Sequence, residues 1–251
     1  DSGEDLSQWL QGFPFVRLLT TTKRGRKGPG VARNMGIAAA KGEYVVCLDA
    51  DDILLPTFMA KCLARNPKPN EYVYCNHLSA RDGTGLDMGP FREWDCEKLL
   101  GESLHSVTTL AHKTAFEECP FDEELAGWED WEIYIRMASK GYCGIGIEEP
   151  LMVYRLDAGG RREASLVDKD SLIGTITSRY SEYIIGGKEM ACGGCSKKQA
   201  KPAAVVLATA PAGNGPSGNG EAVIVEYTSA NIGAHSVIGG ATRTQYGRRK
   251  G

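Results

Sequence analysis

Three aspartates, Asp49, Asp51 and Asp52, follow directly behind the apolar run Tyr44-Val45-Val46-Cys47-Leu48. A short buried strand therefore delivers three carboxylates to one edge of a sheet. Carboxylates crowded at a strand end repel one another, and the arrangement persists most readily where a divalent cation and a ligand's phosphates share the site. A capped helix start ahead of Pro56 accounts for one aspartate, not for three. A second acidic group, Glu129, Asp130 and Glu132, opens a helix. There the acids either complement the helix dipole or do chemistry beside Trp128 and Trp131, whose rings can stack on a sugar. By spacing, Trp131 is the core member of the two.

Arg33 lies in the first turn of a helix opened by Gly28-Pro29-Gly30. Its guanidinium can pair with a phosphate or form a surface salt bridge. Arg155, Arg161 and Arg162 flank Gly159-Gly160, and a basic loop of that kind can close over a diphosphate as a lid. Cys192-Gly-Gly-Cys195 has ligand-like spacing, but zinc needs four ligands and the sequence offers no second pair. A redox pair or an ordinary loop thiol pair stays equally open. Cys47, Cys62, Cys75, Cys96, Cys119 and Cys143 stand singly and read as small core residues in a reducing compartment. His77, His105, His112 and His235 also stand singly and read as structural or surface groups.

The elements that must position these groups alternate. Phe15 to Thr20 reads as a strand, Val31 to Ala40 as a helix with Val31, Met35 and Ala38 or Ala39 on one face, and Pro56 to Arg65 as a helix. Glu71 to His77 and Val107 to Ala111 read as strands, with a loop from Arg81 to Pro90 between them. A helix from Gly127 to Gly141, two strands at Cys143 to Ile147 and Leu151 to Arg155, and a helix from Glu163 to Tyr183 complete the body. This order predicts an α/β domain with a mostly parallel sheet over residues 1–185. Residues 186–220 read as a flexible linker carrying the Cys pair, and 221–251 as a small β module.

With 251 residues and 42% hydrophobic content, the chain can bury one good core. From Gly186 onward eight Lys and Arg face three Asp and Glu, which leaves 21 basic and 29 acidic residues before it. An acidic body argues against nucleic-acid binding, while the basic tail is either solvated or touches an anionic docking partner. No apolar run reaches the roughly 20 residues of a membrane span, so the expected location is cytoplasmic.

Four motifs, in order, resemble the family 2 glycosyltransferases of GT-A fold. They are Gly30-Val-Ala-Arg33-Asn34-Met-Gly36-Ile37, Ala40-Lys-Gly42-Glu43-Tyr44, Leu48-Asp-Ala-Asp-Asp-Ile-Leu-Leu-Pro56, and Pro120-Phe-Asp-Glu-Glu124 followed by Gly127-Trp-Glu-Asp-Trp131. The resemblance implies a Rossmann-like sheet flanked by helices and an enzyme that moves a sugar, with inversion, from a nucleotide-sugar donor such as a UDP-sugar to a hydroxyl of a glycan or other acceptor. It makes Asp49 and Asp51 a DxD motif, with Asp51 the direct ligand of Mn²⁺ or Mg²⁺ and Asp49 facing the donor ribose and a metal-bound water. Asp130 becomes the base with Glu129 as the alternative catalytic carboxylate, and Glu129, with Trp128, becomes an acceptor contact. Asp1, Arg33, Arg155 and Arg161 become donor contacts. Asp1-Ser2-Gly3 resembles the end of the family's second strand, so the first strand-helix unit is expected to be missing and the domain incomplete at its N-terminus.

Two other readings place acids similarly. A haloacid dehalogenase phosphatase wants Thr or Val where Ile53 stands, and an EF-hand needs Gly where Leu54 stands. The alternative from another class is a non-catalytic carbohydrate-binding or assembly protein that keeps the GT-A fold.

Overall fold

The computed structural model describes residues 13, 15–20, 28–81, 85–125, 127–156, 169–184, 186–195, 207–208 and 221–225. Asp1, Arg161, the Gly159-Gly160 loop, His235 and most of the linker and tail lie outside the described residues.

Strand β2 (Tyr44–Val46) is wholly buried and leads into the acidic turn. It belongs to a six-stranded sheet that also contains β3 (Ile53–Leu54), β4 (Glu71–Arg81), β5 (Gly85–Met88), β6 (Leu110–His112) and β7 (Cys143–Arg155). The strands run β2-β6-β4-β7-β3, with β5 paired to β4. The expected mostly parallel pairing is corrected here, because β4 with β7 is the one parallel pair among the described residues. The cause is β6, which runs antiparallel to both β2 and β4 and lies between them. Strands β2, β4 and β7 still share one direction, so β2 ends where an α/β sheet collects ligands.

Two further expectations change. The stretch after Arg81 is not only a loop, since β5 folds back on the extended end of β4 from Leu78 to Arg81. The strands expected at Cys143 and Leu151 are one long β7, whose register against β4 shifts between Cys75 and His77. A register shift absorbs extra residues and lets one strand continue across a break in pairing.

Helix α1 (Gly28–Ala39) buries Val31 and Ile37, with Ala40 just beyond its end, whereas Ala38 is exposed. Its core stripe therefore passes through Ile37 instead of Met35 and Ala38. Helix α2 (Phe58–Ala64) buries Phe58, Cys62 and Leu63 on one face of the sheet. Helices α3 (Cys96–Leu99), α4 (Lys113–Glu118) and α5 (Glu129–Ser139) cover the other. Helix α5 buries Trp131, Ile135 and Ala138, and Trp131 also donates its indole N–H to Leu99 O at 2.7 Å. Aromatic rings lie directly over β7: a Cβ on Gly146 would stand 2.5 Å from Phe91, so only glycine lets ring and strand approach.

Helix α6 (Lys169–Arg179) and helix α7 (Ser181–Ile184) follow β7. Glu132 of α5, 1% exposed, ties them down. It accepts from Tyr180 Oη at 2.6 Å, Arg179 at 3.2 Å and Arg136 at 2.6 Å. Strand β1 (Val16–Thr20) lies in a separate three-stranded sheet with β8 (Leu207–Ala208) and β9 (Glu221–Val225). The segment expected as a strand of the tail module thus pairs antiparallel with the first described strand, Val16 opposite Val225.

Candidate active site

The turn after β2 closes through Asp52 N–H donating to Asp49 O at 3.1 Å. It separates the three aspartates that the sequence places together. Asp51 is exposed, Asp49 is partly exposed, and Asp52 is buried. Asp52 accepts from Arg155 N–H at 3.1 Å through Oδ1, while its buried Oδ2 has no hydrogen-bond partner. Burial first, and then the charge of Asp49, pushes the Asp52 carboxyl up to about 8. It therefore anchors the end of β7 as a neutral acid. Arg155 joins the site through its backbone, beside whatever its side chain contacts.

Arg33 is the center of the site. Its Nη2 donates to Asp49 Oδ1 at 2.6 Å and its Nη1 to Glu129 Oε1 at 2.8 Å. Its side chain is 11% exposed and lies 5.2 Å from the ring centroid of Phe121. Burial alone would lower its pKa, yet Asp49 and Glu129 together raise it above the ordinary arginine value. One guanidinium thus joins the acidic turn of β2 to the acidic start of α5. The sequence allowed Arg33 a phosphate or a salt bridge; the structure shows it holding two carboxylates.

Asn34, the next residue, reaches the backbone of the same Phe121. It donates to Phe121 O and accepts from Phe121 N–H, both at 2.9 Å, and donates to Glu123 at 3.1 Å. Gly30 permits the same approach, since a Cβ there would meet Asp122 O at 3.2 Å. The first and last of the four sequence motifs are therefore one contact surface. Asparagine is a poor helix-interior residue, and its place in α1 was the signal for this clamp.

Glu129 is 6% exposed, and Asp130 beside it is partly buried. Asp130 accepts from Trp131 N–H at 2.9 Å. Its carboxyl is pushed up to about 6 by burial first and by Glu129 and Asp49, with Arg33 and the Trp131 N–H pulling the other way. Trp128 caps α5 in the left-handed region at φ 61°, a strained backbone for a bulky residue, and packs edge-on to Trp131 at 6.1 Å. Strain of this kind clusters at ligand sites. Asp49, Glu129, Asp130 and Arg33 thus share one electrostatic environment. No three His, Cys, Asp or Glu side chains among the described residues form a metal cage by themselves.

Residues 1–122 match the family model described as glycosyl transferase family 2. These residues belong to that family. The chain is 29% identical over 151 residues to the succinoglycan biosynthesis protein ExoO of Rhizobium meliloti, covering 52% of this chain and 41% of that protein. It is 42% identical over 57 residues to a glycosyltransferase of Escherichia coli named YibD, covering 23% of this chain and 16% of YibD. The chain thus spans less than half the length of either relative. Among solved structures it is similar to Staphylococcus aureus TarS 1-349 at TM-score 0.44 and 17% identity, over 60% of this chain and 44% of that one. The matched residues include α1 with Arg33 and the acidic turn after β2. Helix α5, with Glu129 and Asp130, lies beyond the matched residues.

The expectation of isolated thiols is corrected at Cys143, which forms a disulfide with Cys195. No helix among the described residues is long and apolar enough to cross a membrane. His105 Nε2 shares a hydrogen bond with Tyr72 Oη at 3.1 Å, and His112 Nε2 donates to Pro67 O at 3.1 Å.

Proposed function

We propose that this protein is a metal-dependent, inverting glycosyltransferase that moves a sugar from a nucleotide-sugar donor, a UDP-sugar by resemblance, to a hydroxyl of a glycan or other acceptor. The observation that carries this reading is the Asp49–Arg33–Glu129 bridge, which sets a donor-side acid and an acceptor-side acid on one guanidinium. In this reading Asp130 takes the acceptor hydroxyl's proton as the new bond to the anomeric carbon forms and the bond to the diphosphate breaks on the opposite face. A partly buried carboxyl near 6 suits that task, because it is ionised at neutral pH yet basic enough to accept a proton. Glu129, held by Arg33, positions the acceptor with Trp128.

Mn²⁺ or Mg²⁺ fits the hard oxygen donors of Asp51 and Asp49, both open to solvent, because such ions are bound by one or two carboxylates with the substrate's phosphates completing the shell. When bound, the ion would neutralise charge on the departing diphosphate. Arg33 serves here as a positioning residue for both acids. Asp1 and Arg161 remain donor contacts by resemblance.

The test is nucleoside diphosphate release from a panel of nucleotide-sugars with Mn²⁺, with and without acceptor. Release that Asp51→Asn abolishes supports the reading. Release indifferent to that change rejects the metal assignment, and absence of release with every donor favours a binding or assembly role.

A further inference from the structure

The Cys192-x-x-Cys195 turn lacks a partner pair in the sequence; the fold supplies one. Cys192 and Cys195 lie on the 3-10 turn Ala191–Gly194 and just after it, closed by Cys195 N–H donating to Cys192 O at 3.2 Å. Cys195 is bonded to Cys143, the first residue of β7, with Cα atoms 5.8 Å apart. The Cys192 thiol interacts with the thiol of Cys96, the first residue of α3. The Cys143–Cys195 bond and the Cys96–Cys192 pair are thus joined through the short Cys192–Cys195 turn, and all four side chains pack on the same core cluster. Cys192 is 2% exposed and Cys143 is 7% exposed, with Cys96 and Cys195 partly buried beside them.

We propose that, once the Cys143–Cys195 bond is reduced, Cys96, Cys143, Cys192 and Cys195 bind one structural zinc ion as a tetrathiolate. Among the described residues no group of three His, Cys, Asp or Glu side chains stands ready to hold a metal with this bond closed, so the proposal concerns the reduced protein. Reduction by a dithiol adds two electrons and two protons to the bond and leaves two thiols and the cyclic disulfide of the reductant. Zinc then replaces the four thiol protons, which pass to solvent. Two ligands from a C-x-x-C turn and two from separate elements make a closed four-coordinate set of the kind that soft thiolates give zinc. The ion would fasten the chain after Met190 to the start of β7 and to α3, far in function from sugar transfer. The inference therefore stands apart from the proposed activity.

Metal analysis of the full chain, purified with dithiothreitol and then exposed to zinc, tests it. We expect one zinc per chain after reduction, none with the disulfide intact, and the intense visible absorption of tetrahedral cobalt thiolate on Co²⁺ substitution. Cys96→Ser and Cys195→Ser should each remove that cobalt spectrum and drop zinc well below one per chain, whereas Cys62→Ala, in the other core cluster, should keep both. Cys195→Ser leaves the buried start of β7 intact, so loss there cannot be assigned to a core defect. A reduced chain that takes up no zinc, or a Cys96→Ser protein that keeps the full cobalt spectrum, overturns the proposal.

Discussion

Arg33 and Glu129, 96 positions apart in the chain, meet at 2.8 Å with side chains 11% and 8% exposed. The same guanidinium reaches Asp49 at 2.6 Å. Removing it leaves one buried carboxylate unpaired and a second, more exposed one partly so. Arg33→Ala should therefore cost on the order of 3 kcal/mol, less than two fully buried pairs would imply because water screens Asp49. Arg33→Lys keeps the charge but not the fork and should recover part of the loss. Urea unfolding of both variants checks this, and equal stability of wild type and Arg33→Ala would show the bridge to be inert.

Asp130→Asn should lower kcat by about 10²- to 10⁴-fold while leaving donor affinity nearly unchanged. Steady-state kinetics beside a donor-binding isotherm separate the two. An equal loss of both would contradict a role as base.

The pH dependence follows from the same carboxyl. Since its folded pKa is raised to about 6, kcat/KM should fall as pH drops through about 6, where Asp130 becomes protonated. The stability term has the opposite sign. An unfolded aspartate titrates near about 3.9, so between the two values the folded state binds the extra proton. That contribution is full below about 4 and is lost as pH rises through about 6. In Asp130→Asn the acid limb should vanish and the stability slope should shrink to the part carried by Asp52, whose carboxyl stands at about 8, as pH-rate profiles and denaturation at several pH values would reveal.

Asn34→Ala removes the acceptor and the donor that satisfy the Phe121 backbone. Leaving those polar groups unpartnered should cost about 1–3 kcal/mol each way the contact is counted. Asn34→Asp should rescue only the N–H half. Thermal melts that show no difference among the three proteins would reject the clamp.

Glu132→Ala strands Arg136 and Tyr180 around a vacated buried acid, while Arg179 keeps Asp122 at 2.7 Å, and should destabilise by on the order of 3 kcal/mol. Glu132→Gln, which keeps the acceptor, should lose less. Because Glu132 is a fastening group, kcat of the folded fraction should be unchanged, and a selective fall in kcat would reassign it to the chemistry.

Much of the site was legible from local pattern. An apolar run ending in aspartates specifies a buried strand that delivers acids to an edge, and the acids before Trp131 specify a helix start, because both signals live within a few residues. What the pattern could not distinguish was which aspartate faces water. A turn of four residues sends Asp51 out and Asp52 in, and only contact with the Arg155 N–H, 103 positions later, selects that outcome. The sequence motif around Arg33 and Asn34 was visible as a motif, yet the different partners of the two neighbours, carboxylates for one and the Phe121 backbone for the other, are brought by tertiary packing.

The chain by itself determined the kind of elements, their order, the family of residues 1–122 and the acids at the strand and helix ends, since periodicity and turn chemistry are local. Tertiary structure decided the reversed strand β6, the double grip of Arg33 and the meeting of Cys192 and Cys195 with Cys96 and Cys143. Each of these joins residues far apart in sequence, and such pairings depend on the whole packing of sheet and helices, which no window of neighbouring residues encodes.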